Sequence, residues 1–200
     1  TILGAGYGMG AVRFQAQLKT FGHEVTLKEA RRIIEVYREA NSDITSLWNA
    51  CQYMIQKMVN GESYQVGRKG VLDVRGAEKG IALPSKLLIR YDELKAENGK
   101  QGLEYSYKTR KGRTRIYGGK ATENICQGIA RCIIGEQMLQ IAKKYRVVLT
   151  VHDSIVTCVR DEEVAEAQAY VEECMRWTPD WAEGLPINCE SGVGKSYGEC

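Results

Sequence analysis

Residues 147–159 place the tightest constraint on the fold of this chain. An apolar run at residues 147–151 and a second at residues 155–159 are separated only by His152-Asp153-Ser154. Short runs rich in valine, isoleucine and threonine predict strands, and so short a connection requires the strands to pair antiparallel. We therefore predict a β-hairpin that carries a histidine and a carboxylate at its turn.

Helical periodicity is found on both sides of this hairpin. Thr26 followed by Glu29 has the pattern of a capping box, and apolar residues then recur every three or four positions. The same spacing predicts four helices in all: residues 26 to about 40, a cap within 41–43 followed by a helix to about 60, about 122 to 145, and a last helix capped by Asp161.

The third predicted helix has two faces of different character. Its apolar residues recur at helical spacing and are expected to be buried: Ile125, Ile129, Ile133 and Leu139. Polar residues at four-residue spacing share another face: Glu123, Gln127 and Arg131. We expect the second set to be available for contacts outside the core.

The remaining segments predict an α+β fold. Residues 64–117 contain short apolar runs, Pro84 and several glycines, which are typical of loops and hairpins, and residues 185–190 suggest a last strand. The expected architecture is a helical segment, residues 1–62, followed by an antiparallel sheet flanked by helices, residues 63–200. With no long apolar run and no signal-peptide pattern, the chain is expected to be a soluble, cytoplasmic protein.

Charge and cysteine content leave some functions open and argue against others. The net charge of +3 does not by itself indicate an anionic partner, but five of the eight residues 108–115 are basic. That run is either a phosphate-binding segment or a solvated hairpin tip. The seven cysteines are scattered singly with no C-x-x-C pair, which favours reduced, buried thiols over disulfides or a zinc site.

The glycine-rich opening, residues 2–11, imitates a dinucleotide-binding fingerprint. Counted from Gly4, however, the third glycine of that fingerprint is replaced by Met9. Counted from Gly6, the third place holds Ala11, which the fingerprint permits, but the preceding strand would then have to include Gly4 and Ala5. The pattern is also followed by two consecutive helices instead of further βα units. An NAD- or FAD-binding Rossmann domain is therefore the less favoured interpretation of these glycines.

Several motifs together resemble DNA polymerases of family A, in particular those of phages. They are, in chain order, residues 3–9 (Leu-Gly-Ala-Gly-Tyr-Gly-Met), Leu83-Pro84-Ser85-Lys86 with Tyr91, residues 117–127, the Val151-His152-Asp153 turn, and residues 177–195. The order is that of the family, and the match extends over nearly the whole chain. The resemblance identifies residues 1–62 as part of the fingers and residues 63–200 as the C-terminal part of the palm.

This resemblance implies a function for each motif. Asp153 would bind catalytic Mg²⁺, one of two ions, and His152 would lie near the primer end. Tyr7, Gly8 and Leu3 would shape the pocket for the incoming dNTP and the templating base. The implied DNA contacts come from the third helix and the basic run: Gln127, reading the minor groove, and Arg131, Lys108, Arg110, Lys111 and Arg113. Primer-template DNA and dNTPs would be the partners.

The chain also departs from the family pattern. Leu3 replaces an aromatic residue, Lys86 stands where glycine is usual, and Ser154 stands where a glutamate commonly follows the aspartate. Glu123 occupies the place of an asparagine, with Asn124 beside it. The family's other metal-binding aspartate and its triphosphate-binding arginine and lysine would precede Thr1. We therefore expect these 200 residues to need an N-terminal polymerase portion, covalent or separate, for activity.

Two further functions are considered for the same residues. An HD-type phosphohydrolase would need more histidines than His23 and His152, the only two in the chain. A DNA-binding module without catalysis would use Tyr7, the basic run and Gln127, and Asp153 would then be an ordinary turn residue.

Overall fold

The computed structural model describes residues 2–99 and 102–199, apart from the side chains of residues 2, 3 and 69. Six α-helices lie in these ranges. In chain order they are α1 (Ile2–Gly6), α2 (Ala11–Thr20), α3 (Leu27–Ala40), α4 (Ser42–Val59), α5 (Gly118–Ile141) and α6 (Val164–Arg176). None of the helices described is long and apolar enough to cross a membrane.

Nine strands in the described ranges form three antiparallel sheets. The first sheet is β1 (Tyr64–Val66), β2 (Leu72–Arg75), β3 (Gly80–Ala82) and β4 (Leu88–Arg90), paired in chain order. The second is β5 (Lys95–Gly99), β6 (Gly102–Thr109) and β7 (Gly112–Ile116), and the third is the hairpin β8 (Val147–Val151) and β9 (Ser154–Thr157). The predicted α+β class with antiparallel sheets is confirmed.

The chain divides into two compact units, residues 1–126 and 127–200. One core cluster of the first unit contains Ala5, Phe14, Ala30 and Ile34, which join α1, α2 and α3. The second unit has a cluster of Ile141, Tyr145, Ala167 and Cys174 between the end of α5 and α6. Each unit therefore has an apolar core of its own. The functional division at residue 62 stays a prediction.

The predicted capping box is present at the start of α3. The Thr26 hydroxyl accepts from the backbone N–H of Glu29, and the Glu29 carboxylate accepts from the backbone N–H of Thr26. The predicted cap of α4 is wrong in one respect. The Asn41 side chain donates to the carbonyl of Tyr37 at 2.8 Å, so it closes α3 and does not cap α4.

Helix α5 begins four residues before the predicted start at Thr122. The Gly118 N–H donates to Gln52 Oε1 at 2.8 Å, and the buried Thr122 hydroxyl donates back to the Gly118 carbonyl. The first residues of the helix are therefore held by α4. Leu139, predicted to be buried, is 64% exposed, because the buried stripe continues from Ile133 to Gln137 and Ile141 instead.

Three other predictions are corrected at the C-terminal side. Residues 185–190 form no strand, because side-chain bonds to α6 hold this segment: Arg176 Nε donates to Asn188 Oδ1, and Ser191 Oγ donates to Glu172 Oε1. Asp161 does not cap α6, which begins at Val164 after a short 3₁₀ turn. The described cysteines are free, but Cys126 and Cys158 are exposed, so burial of the thiols holds for only part of the set.

The Rossmann interpretation of the opening is wrong. Residues 2–6 form a short helix where that fold requires a strand. All strand pairs in the described ranges are antiparallel, whereas a dinucleotide-binding domain is built on a parallel sheet.

Two consecutive glycines allow α5 to start in direct contact with other backbones. A Cβ atom on Gly118 would lie 1.9 Å from the carbonyl oxygen of Trp48, and one on Gly119 would lie 2.4 Å from that of Tyr7. Neither neighbour is a flexible side chain that could move aside. The N-terminal end of α5 therefore requires glycine at both positions.

We expect Gly118→Ala to lower the free energy of unfolding by about 2 kcal/mol or more, because the new methyl group must push two backbones apart. Gly135 lies in the same helix with open space around its Cβ position. Gly135→Ala should stabilise by up to about 1 kcal/mol through helix propensity. Urea unfolding followed by circular dichroism measures both, and equal stability of the two variants would contradict the packing argument.

Candidate functional site

The predicted hairpin turn is present in the second unit. Val151 pairs with Ser154, so His152 and Asp153 form a two-residue turn. The Ser154 hydroxyl donates to the carbonyl of Val151 at 2.9 Å. His152 has a φ of 53°, and positive φ at the first turn residue is typical of hairpin turns that match the twist of the strands. Because a two-residue turn has little conformational freedom, its backbone fixes the direction in which the two side chains project.

The Asp153 carboxylate is exposed and borders a groove of about 1330 Å³ within the second unit. Strand β9, helices α5 and α6, and residues 187–197 supply most of the remaining lining of this groove. Lys195, also on its wall, donates to Asp161 Oδ2 at 2.7 Å and thus attaches the C-terminal segment to the start of the α6 region. Asp153 itself makes no ion pair with another described residue.

Asp153 has the chemistry of a magnesium ligand but is not part of a complete cation site within the described residues. A carboxylate oxygen is the donor that Mg²⁺ prefers. Among the described residues, no group of three or more His, Cys, Asp or Glu side chains is placed to hold a metal ion. Asp153 therefore fits as one ligand, and a full coordination shell would need ligands from elsewhere.

Gln127 and Arg131 are exposed on α5, one turn apart, as the spacing predicted. Glu123, one turn earlier, is half-buried and accepts from Lys120 Nζ at 2.7 Å. The polar face of the helix thus begins with an internal ion pair and continues with two residues whose side chains are open to a partner.

Gln137 is a structurally important residue that the sequence analysis missed. It is fully buried, and its Nε2 donates to the carbonyls of Met175 at 2.7 Å and Trp177 at 3.0 Å. These carbonyls belong to the C-terminal end of α6, where helix carbonyls lack partners within the helix. Gln137 Oε1 has no hydrogen-bond partner among the described residues. Its position four residues after Ile133, on the buried stripe, was the available signal.

We expect Gln137→Ala to destabilise the protein by about 2 kcal/mol or more, since it leaves a cavity and removes two buried hydrogen bonds. Gln127→Ala is the matched control on the same helix. Its side chain is exposed, so stability should change by less than about 0.5 kcal/mol. Chemical denaturation of both variants checks this, and a similar small effect at Gln137 would refute its role as the support of the α6 end.

The Tyr7-Gly8 segment ends helix α1 in the first unit. Met9 N–H donates to the Gly4 carbonyl and Gly8 N–H to the Ala5 carbonyl, with Gly8 at φ 81°. This is a Schellman motif, which favours glycine at the left-handed position. Trp48 Nε1 donates to the carbonyl of Gly6 at 2.9 Å. The turn is thereby tied to α4, and the side chain of Leu3, expected beside it, lies outside the described part.

The basic run of residues 108–115 forms the hairpin β6–β7, and its charges are in part neutralised. Lys108 Nζ lies 2.7 Å from Glu93 Oε1, and Arg113 also contacts Glu93. Arg115 pairs with Glu104. Arg110 and Lys111, at the exposed turn, make no ion pair with any described residue. Three of the five cations in the run are thus paired with carboxylates in the fold.

Comparison with known proteins gives a consistent result. The family model described as DNA polymerase family A matches residues 2–199. The chain belongs to this family.

A relative within the family is the DNA polymerase of Bacillus phage SP02, which is 29% identical over 182 residues. The match covers 84% of this chain and 27% of that polymerase, so the chain spans about a quarter of the length of its relative. No solved structure matches the chain.

Within the family A chain, the fold brings two of the sequence motifs together. Asn124 Nδ2, on α5, donates to the hydroxyl of Tyr91 at 3.2 Å. Tyr91 is almost fully buried, and this burial raises the pKa of Tyr91 to about 12. Its ring also meets Tyr107 edge to face, with 5.2 Å between centroids. The segment ending at Tyr91 therefore packs on the helix that carries Gln127.

Lys86 shows why glycine is expected at its position in the family pattern. It lies in the tight loop between β3 and β4, where its N–H donates to the carbonyl of Leu83 at 2.8 Å. Its φ is 67°, in the left-handed region that is unfavourable for residues with a Cβ atom. The loop keeps its shape with lysine, at a cost in local strain.

We expect Lys86→Gly to be more stable than Lys86→Ala by about 1 kcal/mol, because only glycine adopts this backbone conformation without strain. The comparison between the two variants removes the effect of losing the lysine charge. Thermal unfolding of both proteins provides the measurement. If the alanine variant were equally stable, the positive φ would carry no strain.

Proposed function

We propose that this chain contributes part of the catalytic centre of a DNA-directed DNA polymerase, which transfers nucleotides from dNTPs to a primer 3′-hydroxyl on a DNA template. The observation that carries the proposal is the carboxylate of Asp153 on a two-residue hairpin turn, in a chain matched by the family A model from residue 2 to residue 199. Such a turn supplies the positional precision that a catalytic carboxylate needs.

In this proposal the motif residues have different tasks. Asp153 is one of the ligands of catalytic Mg²⁺, and His152 contacts the primer end. Gln127 and Arg131 contact the duplex from α5, and Tyr7 with Gly8 borders the base-pair pocket. When bound, two Mg²⁺ ions would supply charge stabilisation for phosphoryl transfer. The turn holds the carboxylate ready for that role without a rearrangement of the backbone.

Asp153 alone does not provide enough ligands for two metal ions. The other described acidic residues do not complete a site, and the phage relative is far longer than the matched segment. We infer that the remaining carboxylates and the triphosphate-binding cations come from an N-terminal portion of the polymerase, covalent or separate. Activity is therefore assigned to the full-length polymerase that carries this chain.

The test is primer extension by the full-length polymerase with Asp153→Asn. We expect the extension rate to fall at least about 100-fold, because a lost metal-binding carboxylate removes several kcal/mol of transition-state stabilisation. Affinity for primer-template DNA should stay within about threefold, since Asp153 is not a phosphate-binding group.

Asp161→Asn is the matched control, with the same charge change in the same unit. Asp161 and its partner Lys195 are both about 80% exposed, at 81% and 80%, and such a pair contributes little to stability. This variant should extend primers at the wild-type rate. If Asp153→Asn also extended at that rate, while both variants bound DNA, the site would be a DNA-binding surface without a catalytic carboxylate.

A further inference from the structure

Glu93 is placed where it neutralises two cations of the basic hairpin at once. Its carboxylate accepts from Lys108 Nζ at 2.7 Å, and its second oxygen lies 3.5 Å from an Arg113 guanidinium nitrogen. The guanidinium also donates to the backbone carbonyl of Glu93 at 2.8 Å. One residue outside the hairpin thus contacts two of its basic side chains.

The backbone at Glu93 is strained. Its φ is 50°, a left-handed conformation that costs about 1 kcal/mol or more for a residue other than glycine. The turn is formed by Leu94 N–H donating to Tyr91 carbonyl, and Lys108 N–H donates to the carbonyl of Asp92. The turn is therefore docked directly on the strand that carries Lys108.

The contacts of Glu93 add little to the stability of the sheet. Lys108 and Glu93 are 60% and 58% exposed, and exposed ion pairs contribute about 0–1 kcal/mol. Lys108 and Arg113 are directly opposite each other on β6 and β7, where like charges repel. Glu93 reduces that repulsion. Phosphates bound to the same two cations, with Arg110 and Lys111 beyond them, would reduce it equally well.

We propose that residues 108–113 bind the phosphodiester backbone of DNA, and that Glu93 is an intramolecular competitor for the same cations. Arg110 and Lys111 are open to phosphates at all times. Lys108 and Arg113 exchange the Glu93 carboxylate for phosphate oxygens when DNA is bound. The inference rests on the proposed function, because it takes primer-template DNA as the partner, and it adds control of the strength of binding.

Three features make the exchange feasible. Arg113 keeps further bonds to the hydroxyl and the carbonyl of Ser106, at 3.1 and 2.9 Å, so its guanidinium stays oriented when the carboxylate leaves. The ion pairs with Glu93 are exposed, so water and salt reach them freely. Lys108 lowers the pKa of the Glu93 carboxyl, so the competitor stays charged at more acidic pH than an ordinary glutamate.

The experiment is titration of a labelled primer-template duplex with the full-length polymerase, followed by fluorescence anisotropy in EDTA over a series of salt concentrations. Glu93→Gln should bind DNA about three- to tenfold more tightly at about 0.1 M salt, since two cations are released for phosphates. The slope of log affinity against log salt should steepen by up to about 1.8, or about 0.9 for each new phosphate contact.

Glu97→Gln is the control for the charge change alone. Glu97 lies on the same sheet and pairs at 2.7 Å with Lys95, which lies outside residues 108–113, so its loss should raise affinity less and leave the slope near the wild-type value. In a Lys108→Gln/Arg113→Gln background, the effect of Glu93→Gln should disappear. Glu93→Gly, which also removes the strained side chain, should show the same gain in affinity and guards against misfolding of the glutamine variant.

The inference is overturned if Glu93→Gln and Glu93→Gly bind no more tightly than Glu97→Gln, or if they bind more weakly. Primer extension by the wild-type polymerase is measured in the same preparation. If extension depends on Asp153 but the Glu93 variants bind DNA no more tightly than the wild type, Glu93 is not a competitor for DNA and the proposed function stands. Tighter binding by the Glu93 variants without any extension would reject the polymerase assignment alone.

Discussion

Contact between backbones at the start of α5 is the constraint on which much of the described arrangement depends. Gly118 and Gly119 meet the carbonyls of Trp48 and Tyr7 at distances that leave no room for side chains. This contact sets the residue at which the helix begins. Within the second unit, about 3.6 residues complete each turn, so the burial of Ile133 and Gln137 leaves Gln127 outside the buried stripe of the helix.

Local patterns predicted the elements whose stabilising contacts are close in sequence. The capping box of Thr26 and Glu29 needs residues three apart, and the turn at His152 and Asp153 needs only its two flanking strands. For the same reason the positions of Gln127 and Arg131 on a non-core face followed from helical spacing alone. The hairpin turn and the exposure of Gln127 and Arg131 were therefore predictable, as was the antiparallel character of the sheets.

Contacts between distant residues explain what the sequence did not reveal. The early start of α5 depends on Gln52, and the burial of Gln137 depends on carbonyls at the end of α6. Neither partner is marked by a pattern near the residue itself. The basic run at residues 108–115 was visible in the sequence, but its ion pairs with Glu93 were not. Glu93 lies 15 residues before Lys108, and no helical or strand periodicity links the two positions. Residues 185–190 were predicted as a strand from their own sequence, but the bond from Arg176 on α6 to Asn188 comes from a distant residue that this pattern does not reveal.

The two-residue turn has a consequence for how this segment of the chain can change during evolution. Pairing is irregular between Val147 and Leu149 but regular from Leu149 to Val156. Side chains alternate between the two faces of a strand, so a single inserted or deleted residue in this regular part would turn the side chains beyond it to the wrong face. It would also alter the length of the turn that projects Asp153. Replacement of one residue by another is tolerated there far more readily than a change in length, and natural variation in the hairpin should consist of substitutions without gaps.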